Sequence, residues 1–221
     1  GASAPDDTNL TTPMTPSSPS FVRRKLSKLE NVSYNASVKW FFGFNQSAED
    51  RGYGAMIQVA VHTALKHTTL EPHLIYDGEK TPLTRWLIQR GVRIIPFHSD
   101  LAETISPKLS PARRITAQGA FLRVHLPEIM KNLDTNDTCI LYTDCDVMFL
   151  RDPMQSAPPL PAVLAAAPEK VPWSWPYFNT GVMLMNPKTL GQTFGAFRGY
   201  IEQHFSDAWA YDQDAYNLFY Q

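Results

Sequence analysis

Apolar positions along this chain repeat in two rhythms, and long polar stretches separate them. Residues 1–20 hold almost no bulky apolar side chain and are dominated by Ser, Thr, Pro and Ala, the composition of a flexible tail. Residues 21–30 (FVRRKLSKLE) form a short basic segment of one or two helical turns. From Val38 onward the composition becomes globular. The run VKWFFGF over 38–44 reads as a strand. Ile57, Ala60, Val61, Ala64 and Leu65 then recur at i, i+3, i+4, i+7 and i+8, one face of a helix. Residues 73–76 form a short strand that closes at Asp77-Gly78. A helix over 82–89 stops at Gly91, and VRIIPF over 92–97 is the third strand. Strand–helix–strand–helix–strand predicts parallel pairing with right-handed crossovers, hence a Rossmann-like first half.

The second half continues less regularly. Ile115, Gly119, Leu122, Leu126 and Ile129 fall on one helical stripe, which Pro127 is placed to interrupt. CILY over 139–142 reads as a strand buried on both faces. Four prolines between 152 and 161 dictate a loop. Residues 162–167 and 180–185 read as further strands. Leu190, Phe194, Phe197, Ile201 and Phe205 mark a helix, and a last short helix starts near Asp212.

Composition narrows the class. The chain has 221 residues, 43% of them hydrophobic, and a net charge of −1. That balance disfavours a nucleic-acid protein working through a basic surface and supplies no polybasic membrane patch. No apolar run reaches the roughly 20 residues of a transmembrane helix. The two cysteines, Cys139 and Cys145, lie in one apolar run. If that run is extended they stand about 20 Å apart at about 3.3 Å per residue, too far for a disulfide. Free thiols favour a reducing compartment.

The candidate chemistry begins with Asp144 and Asp146, just after an apolar strand. Side chains two apart on an extended chain face one way, with Cys145 opposite. Two such carboxylates repel unless a cation or donors lie between them. Carboxylate oxygens suit Mg²⁺ or Mn²⁺; solvated aspartates in a turn are the other reading. Asn179, ahead of the apolar run 182–185, serves either as a turn residue or as an amide reading a polyol. The acidic cluster Asp212-Gln213-Asp214 reads equally as a helix start with acids favourable to the dipole. Arg123 is either a snorkelling surface arginine or a fork for phosphate or carboxylate.

Taken together and in order, FLRVHLPEI (121–129), ILYTDCDVMF (140–149), YFNTGVMLMN (177–186) and DQDAYN (212–217) resemble the glycosyltransferase A fold and, within it, glycosyltransferase family 8. With the first strand and helix the resemblance spans about residues 38–221. No G-x-x-x-x-G-K-[ST] or G-x-G-x-x-G sequence competes with it. It implies an α/β domain over 21–221, with a Rossmann-like nucleotide-binding half and a mixed central sheet flanked by helices.

The resemblance implies a retaining, metal-dependent transfer of a hexose from a UDP-sugar to a glycan or other hydroxyl acceptor, with UDP-glucose slightly favoured over UDP-galactose. Asp144 and Asp146 are the implied ligands of Mn²⁺ (or Mg²⁺), and Asp144 also reaches the ribose. Gly43, Phe44 and Asn45 match the uracil segment, and Tyr53 an aromatic near the base. Arg123 matches the arginine that contacts the donor sugar and diphosphate. Asn179 matches a sugar-contacting asparagine. Cys145 falls within the nucleotide-binding segment. Asp212 and Gln213 match the catalytic pair beneath the transferred sugar.

One departure stands out. The family's third metal ligand is a His in an H-x-x-G-x-x-K-P-W motif, which does not occur in residues 1–221. The six histidines fall in or near expected strands and helices and read as structural. Two other functions compete: a sugar-nucleotide-binding domain without activity, and a nucleotidyltransferase, although VKWFFGFNQSAEDRGYG lacks that class's Gly-rich loop. Asn9, Asn31, Asn35, Asn45 and Asn136 each open an N-x-[ST] triplet that permits glycosylation in a secretory lumen. Asn45 would then sit in the nucleotide pocket, where a glycan does not fit. Cytoplasmic residence is the favoured expectation, with a secretory lumen as the alternative.

Overall fold

The computed structural model describes residues 37–133, 135–170, 176–206 and 208–220. The tail expected over 1–20, the basic segment over 21–30 and the triplets at Asn9, Asn31 and Asn35 lie outside the described residues.

β1 (Lys39–Asn45) holds the centre of the molecule. Side chains alternate across a strand, so Trp40, Phe42 and Phe44 point to one face and Phe41 to the other. The first set packs with Ile57, Ala60, Val61 and Ala64 of α1 (Tyr53–His67) and with Leu83 and Leu87 of α2 (Pro82–Ile88). Phe41 joins a separate cluster on the opposite face. Trp40, Phe41 and Phe42, each at 0% exposure, represent about 3–5 kcal/mol apiece on truncation to alanine. The helix stripe read from the sequence is the buried face of α1.

β2 (Glu71–Asp77) and β3 (Arg93–Pro96) add in parallel on one side of β1, and β4 (Ile140–Thr143) adds in parallel on the other. β6 (Phe178–Met185) runs antiparallel to β4, and β5 (Leu164–Pro168) antiparallel to β6. The order is β3-β2-β1-β4-β6-β5. β4 is buried at every position, with Leu141 in one cluster and Ile140 and Tyr142 in the other. This is the mixed, helix-flanked α/β sheet expected from the sequence.

Two expectations change. α3 (Asp100–Ile105) escaped the periodicity reading, because six residues give too short a stripe. The stripe over 115–129 is not one helix. It divides into α4 (Pro111–Ala120), a 3₁₀ segment (Phe121–His125) and α5 (Leu126–Asn132). Pro127 has no N–H to offer the carbonyl four residues back, at Arg123. That carbonyl instead accepts from the Leu126 N–H and from Tyr216 Oη at 3.4 Å. Tyr216 belongs to α7 (Tyr211–Tyr220), which with α6 (Pro187–His204) completes this face. The break turns Arg123 into the core.

Gly43 makes the close packing of the 3₁₀ segment possible. A Cβ there would lie 3.2 Å from Leu122 Cβ and 3.2 Å from Tyr142 Oη.

Candidate active site

β1 pairs outward to β2 and β4 begins the other half of the sheet, so a crevice opens beyond the carboxyl ends of these two strands. A cleft of about 320 Å³ lies there. Of the eleven site residues expected from the sequence, every one except Asn179 lines it.

The β1 side carries Gly43, Phe44 and Asn45, with Tyr53 at the start of α1. Asn45 is 4% exposed. Its Nδ2 donates to the Ile115 carbonyl at 2.8 Å, and its Oδ1 accepts from Ser47 Oγ (2.8 Å) and Ala48 N (3.0 Å). The side chain therefore caps the 3₁₀ turn Gln46–Arg51 and ties α4 to β1. A glycan has no room at this asparagine, whereas Asn136 is exposed.

The β4 side carries Asp144, Cys145 and Asp146. The strand ends at Thr143, and both carboxylates border the cleft, as does Cys145 between them. Cys145 packs with Leu141 and Phe149, and burial pushes its thiol up to about 12, with Asp146 and Asp144 adding to the effect. Asp146 is exposed and has no hydrogen bond or ion pair among the described residues. Neither Cys139 nor Cys145 forms a disulfide.

Arg123 is the hub. Its Nη2 donates to Asp144 Oδ1 at 2.6 Å, its Nη1 to the Thr180 carbonyl at 2.6 Å, and its Nε to the Ala120 carbonyl at 3.1 Å. The guanidinium lies 4.7 Å from the Tyr142 ring centroid. It is a buried fork rather than a surface arginine. Burial alone would lower its pKa; Asp212, Tyr142 and Asp144 outweigh burial and raise it.

Asp212 Oδ2 lies 3.1 Å from Arg123 Nε. Because that N–H is directed at Ala120, the carboxylate oxygen is left buried without a hydrogen bond. Burial raises the Asp212 pKa to about 6; Arg123 opposes the rise and Asp144 adds to it. Tyr211, just before it, takes a left-handed φ of 50°, a conformation bulky residues rarely adopt.

Asn179 sits outside the lining but one step from it. Its Oδ1 accepts from Gly181 N at 2.7 Å, and the Gly181 carbonyl accepts from Asp144 N at 2.7 Å. A Cβ on Gly181 would fall 2.8 Å from both Asn179 Oδ1 and Asp144 Oδ2, so only glycine lets these three residues meet. Gln213 Oε1 accepts from Thr180 N at 3.1 Å. Glu169 receives both amides, from Asn179 Nδ2 at 2.8 Å and Gln213 Nε2 at 3.1 Å. Glu169, Thr180, Tyr142 and Tyr211 went unseen in the sequence. For Thr180, the available signal was its place between Asn179 and Gly181.

Among the described residues, the lining holds three carboxylates (Asp144, Asp146, Asp212) against two guanidiniums (Arg51, Arg123). Such a surface repels an anion unless a cation intervenes. Asp144 and Asp146 offer hard oxygen donors suited to Mg²⁺ or Mn²⁺, ions that keep positions for water and phosphate. No histidine lines the cleft. No group of three or more His, Cys, Asp or Glu side chains able to hold a metal occurs among the described residues. His73 and His125 are buried in the fold. No helix among the described residues is long and apolar enough to cross a membrane.

No family model matches the chain, and no curated protein matches it. Solved structures do. The apo-form glycosyltransferase GlyE of Streptococcus pneumoniae TIGR4 superposes with a TM-score of 0.60 at 17% identity, over 85% of this chain and 44% of that one. Mouse xyloside xylosyltransferase 1, apo form, gives 0.57 at 17% identity, over 83% and 81%. The galactosyltransferase LgtC, in complex with donor and acceptor sugar analogs, gives 0.60 at 20% identity, over 82% and 70%. The chain thus spans 44% of the GlyE chain. The architecture shared with these three enzymes is the glycosyltransferase A fold.

Proposed function

We propose that this domain is a retaining, metal-dependent glycosyltransferase of the family 8 type. It moves a hexose from a UDP-sugar to a hydroxyl of a glycan or similar acceptor, with UDP-glucose slightly favoured over UDP-galactose. The observation that carries the reading is the shared guanidinium. Arg123 joins Asp144, at the cleft end of β4, to Asp212, at the start of α7. A nucleotide end and a sugar end therefore adjoin across one side chain.

Asp144 and Asp146 would hold Mn²⁺ or Mg²⁺, which supplies neutralising charge for a diphosphate. The end of β1 offers backbone groups to a small pyrimidine, since the Asn45 side chain is spent on the fold. Arg123 fixes the Asp144 carboxylate and adds positive potential beneath the leaving group. As the sugar–phosphate bond breaks, positive charge grows at the anomeric carbon. Asp212, buried and lacking a hydrogen bond on Oδ2, stabilises it from below. Front-face attack suits this arrangement: the leaving phosphate oxygen takes the acceptor's proton, and Asp212 remains an electrostatic partner locked to Arg123.

The test is UDP release from UDP-glucose and UDP-galactose, with and without Mn²⁺, across a panel of sugar acceptors. Metal-dependent, acceptor-stimulated release is expected, with UDP bound more tightly than ADP or GDP. Metal-independent release, or equal affinity for all three diphosphates, rejects the reading.

A further inference from the structure

We propose that Glu169 is a positioning residue for the sugar end of the cleft, one that fixes which way the Asn179 and Gln213 amides face. This rests on the proposed function. The two amides come from β6 and α7, yet both give a nitrogen to the same Glu169 Oε2, at 2.8 and 3.1 Å. On the opposite side each amide oxygen is met by a backbone donor, Gly181 N for Asn179 and Thr180 N for Gln213. Each amide is thus bracketed by an acceptor-only carboxylate and a donor-only N–H. Flipping either would set NH₂ against N–H and C=O against COO⁻, breaking both bonds and adding two repulsions.

The consequence is chemical. Gln213, which lines the cleft, can still offer a ligand both an N–H and the second lone pair of its oxygen. Glu169 thereby fixes where that N–H and that lone pair face, and so how a hexose hydroxyl can pair with the wall. Sheet pairing sets the position of Glu169, because its own N–H donates to the Tyr177 carbonyl at 3.0 Å at the end of the β5–β6 ladder. The side chain is exposed, so truncating it opens no cavity in the core.

The experiment compares wild type, Glu169→Ala and Glu169→Gln by calorimetry with UDP, UDP-glucose and UDP-galactose at saturating Mn²⁺, alongside thermal unfolding. Glu169→Ala should leave Tm and UDP affinity unchanged and cut the ratio of UDP-hexose to UDP affinity about ten-fold. Glu169→Gln should restore most of it, because one amide oxygen can accept both bonds. An unchanged ratio in Glu169→Ala overturns the positioning role and leaves the proposed function standing. Equal loss of UDP and UDP-hexose binding overturns it too, because that is a general structural effect. A wild-type chain that binds neither UDP nor UDP-hexose overturns the proposed function and this inference together.

Discussion

Asp212 Oδ2 and Arg123 Nε lie 3.1 Å apart with side chains only 4% and 6% exposed, so this ion pair sits in the core and not on the rim of the cleft. Removing one partner of such a pair strands the other charge, which costs about 3–5 kcal/mol. Arg123→Met should lose that much stability in urea unfolding. Adding Asp212→Asn should recover part of it. If the single variant unfolds like wild type, the pair does not hold the fold.

Asp146 is exposed and unpaired among the described residues, so its removal should cost the fold little. Asp146→Ala should keep the wild-type melting temperature and abolish Mn²⁺-dependent UDP binding in calorimetry. Retained Mn²⁺ dependence removes Asp146 from the metal site.

Gly181→Ala brings a methyl group within 2.8 Å of Asp144 Oδ2 and Asn179 Oδ1. Both are the ends of side chains and can swing away, but Asp144 does so against its bond to Arg123 and Asn179 against its bond to Gly181 N, so the loss of stability should be about 1–3 kcal/mol. The displaced Asp144 carboxylate should weaken metal-dependent UDP binding by ten-fold or more. Unaltered binding at unaltered stability would show that the position of Asp144 does not matter.

Acid should act on this chain through opposed groups, among them His125 and Asp212. His125, at 0% exposure against Ser99 and Glu128, has its pKa lowered from 6.5 by burial. The unfolded chain therefore binds more protons, and stability falls as pH drops below about 6.5. Asp212 works the other way: its pKa rises from 3.8 to about 6. The stability it contributes is full below 3.8 and is lost as pH climbs through about 6. In unfolding measured from pH 4 to 7, His125→Gln should flatten the acid-side loss. Asp212→Asn should steepen it, by removing the opposing gain.

The sheet could be read from the sequence because its strands bury both faces or one clean alternate face, as at Trp40, Phe41 and Phe42. Asp144 and Asp146 were legible for a related reason, being charges at the end of an apolar run. What escaped depends on pairing between distant segments. Nothing local in Pro168-Glu169 announces that β5 will fold back on β6 and deliver a carboxylate to Asn179 and Gln213. Arg123 was visible as a residue but not as a buried hub. Its inward turn follows from Pro127 denying a hydrogen bond to its carbonyl, an effect that looked in the sequence only like a blemish in a helix.

The four groups that Arg123 gathers, at Ala120, Asp144, Thr180 and Asp212, also define an order of assembly. A chain growing from its N-terminus can pair β6 with β4 and seat Thr180, but Asp212 is made 32 residues later (180 to 212). Until it arrives, the buried guanidinium faces one carboxylate instead of two, and Gln213 has yet to meet Glu169. A chain that stops short of Asp212 therefore leaves the guanidinium with one of its two carboxylates.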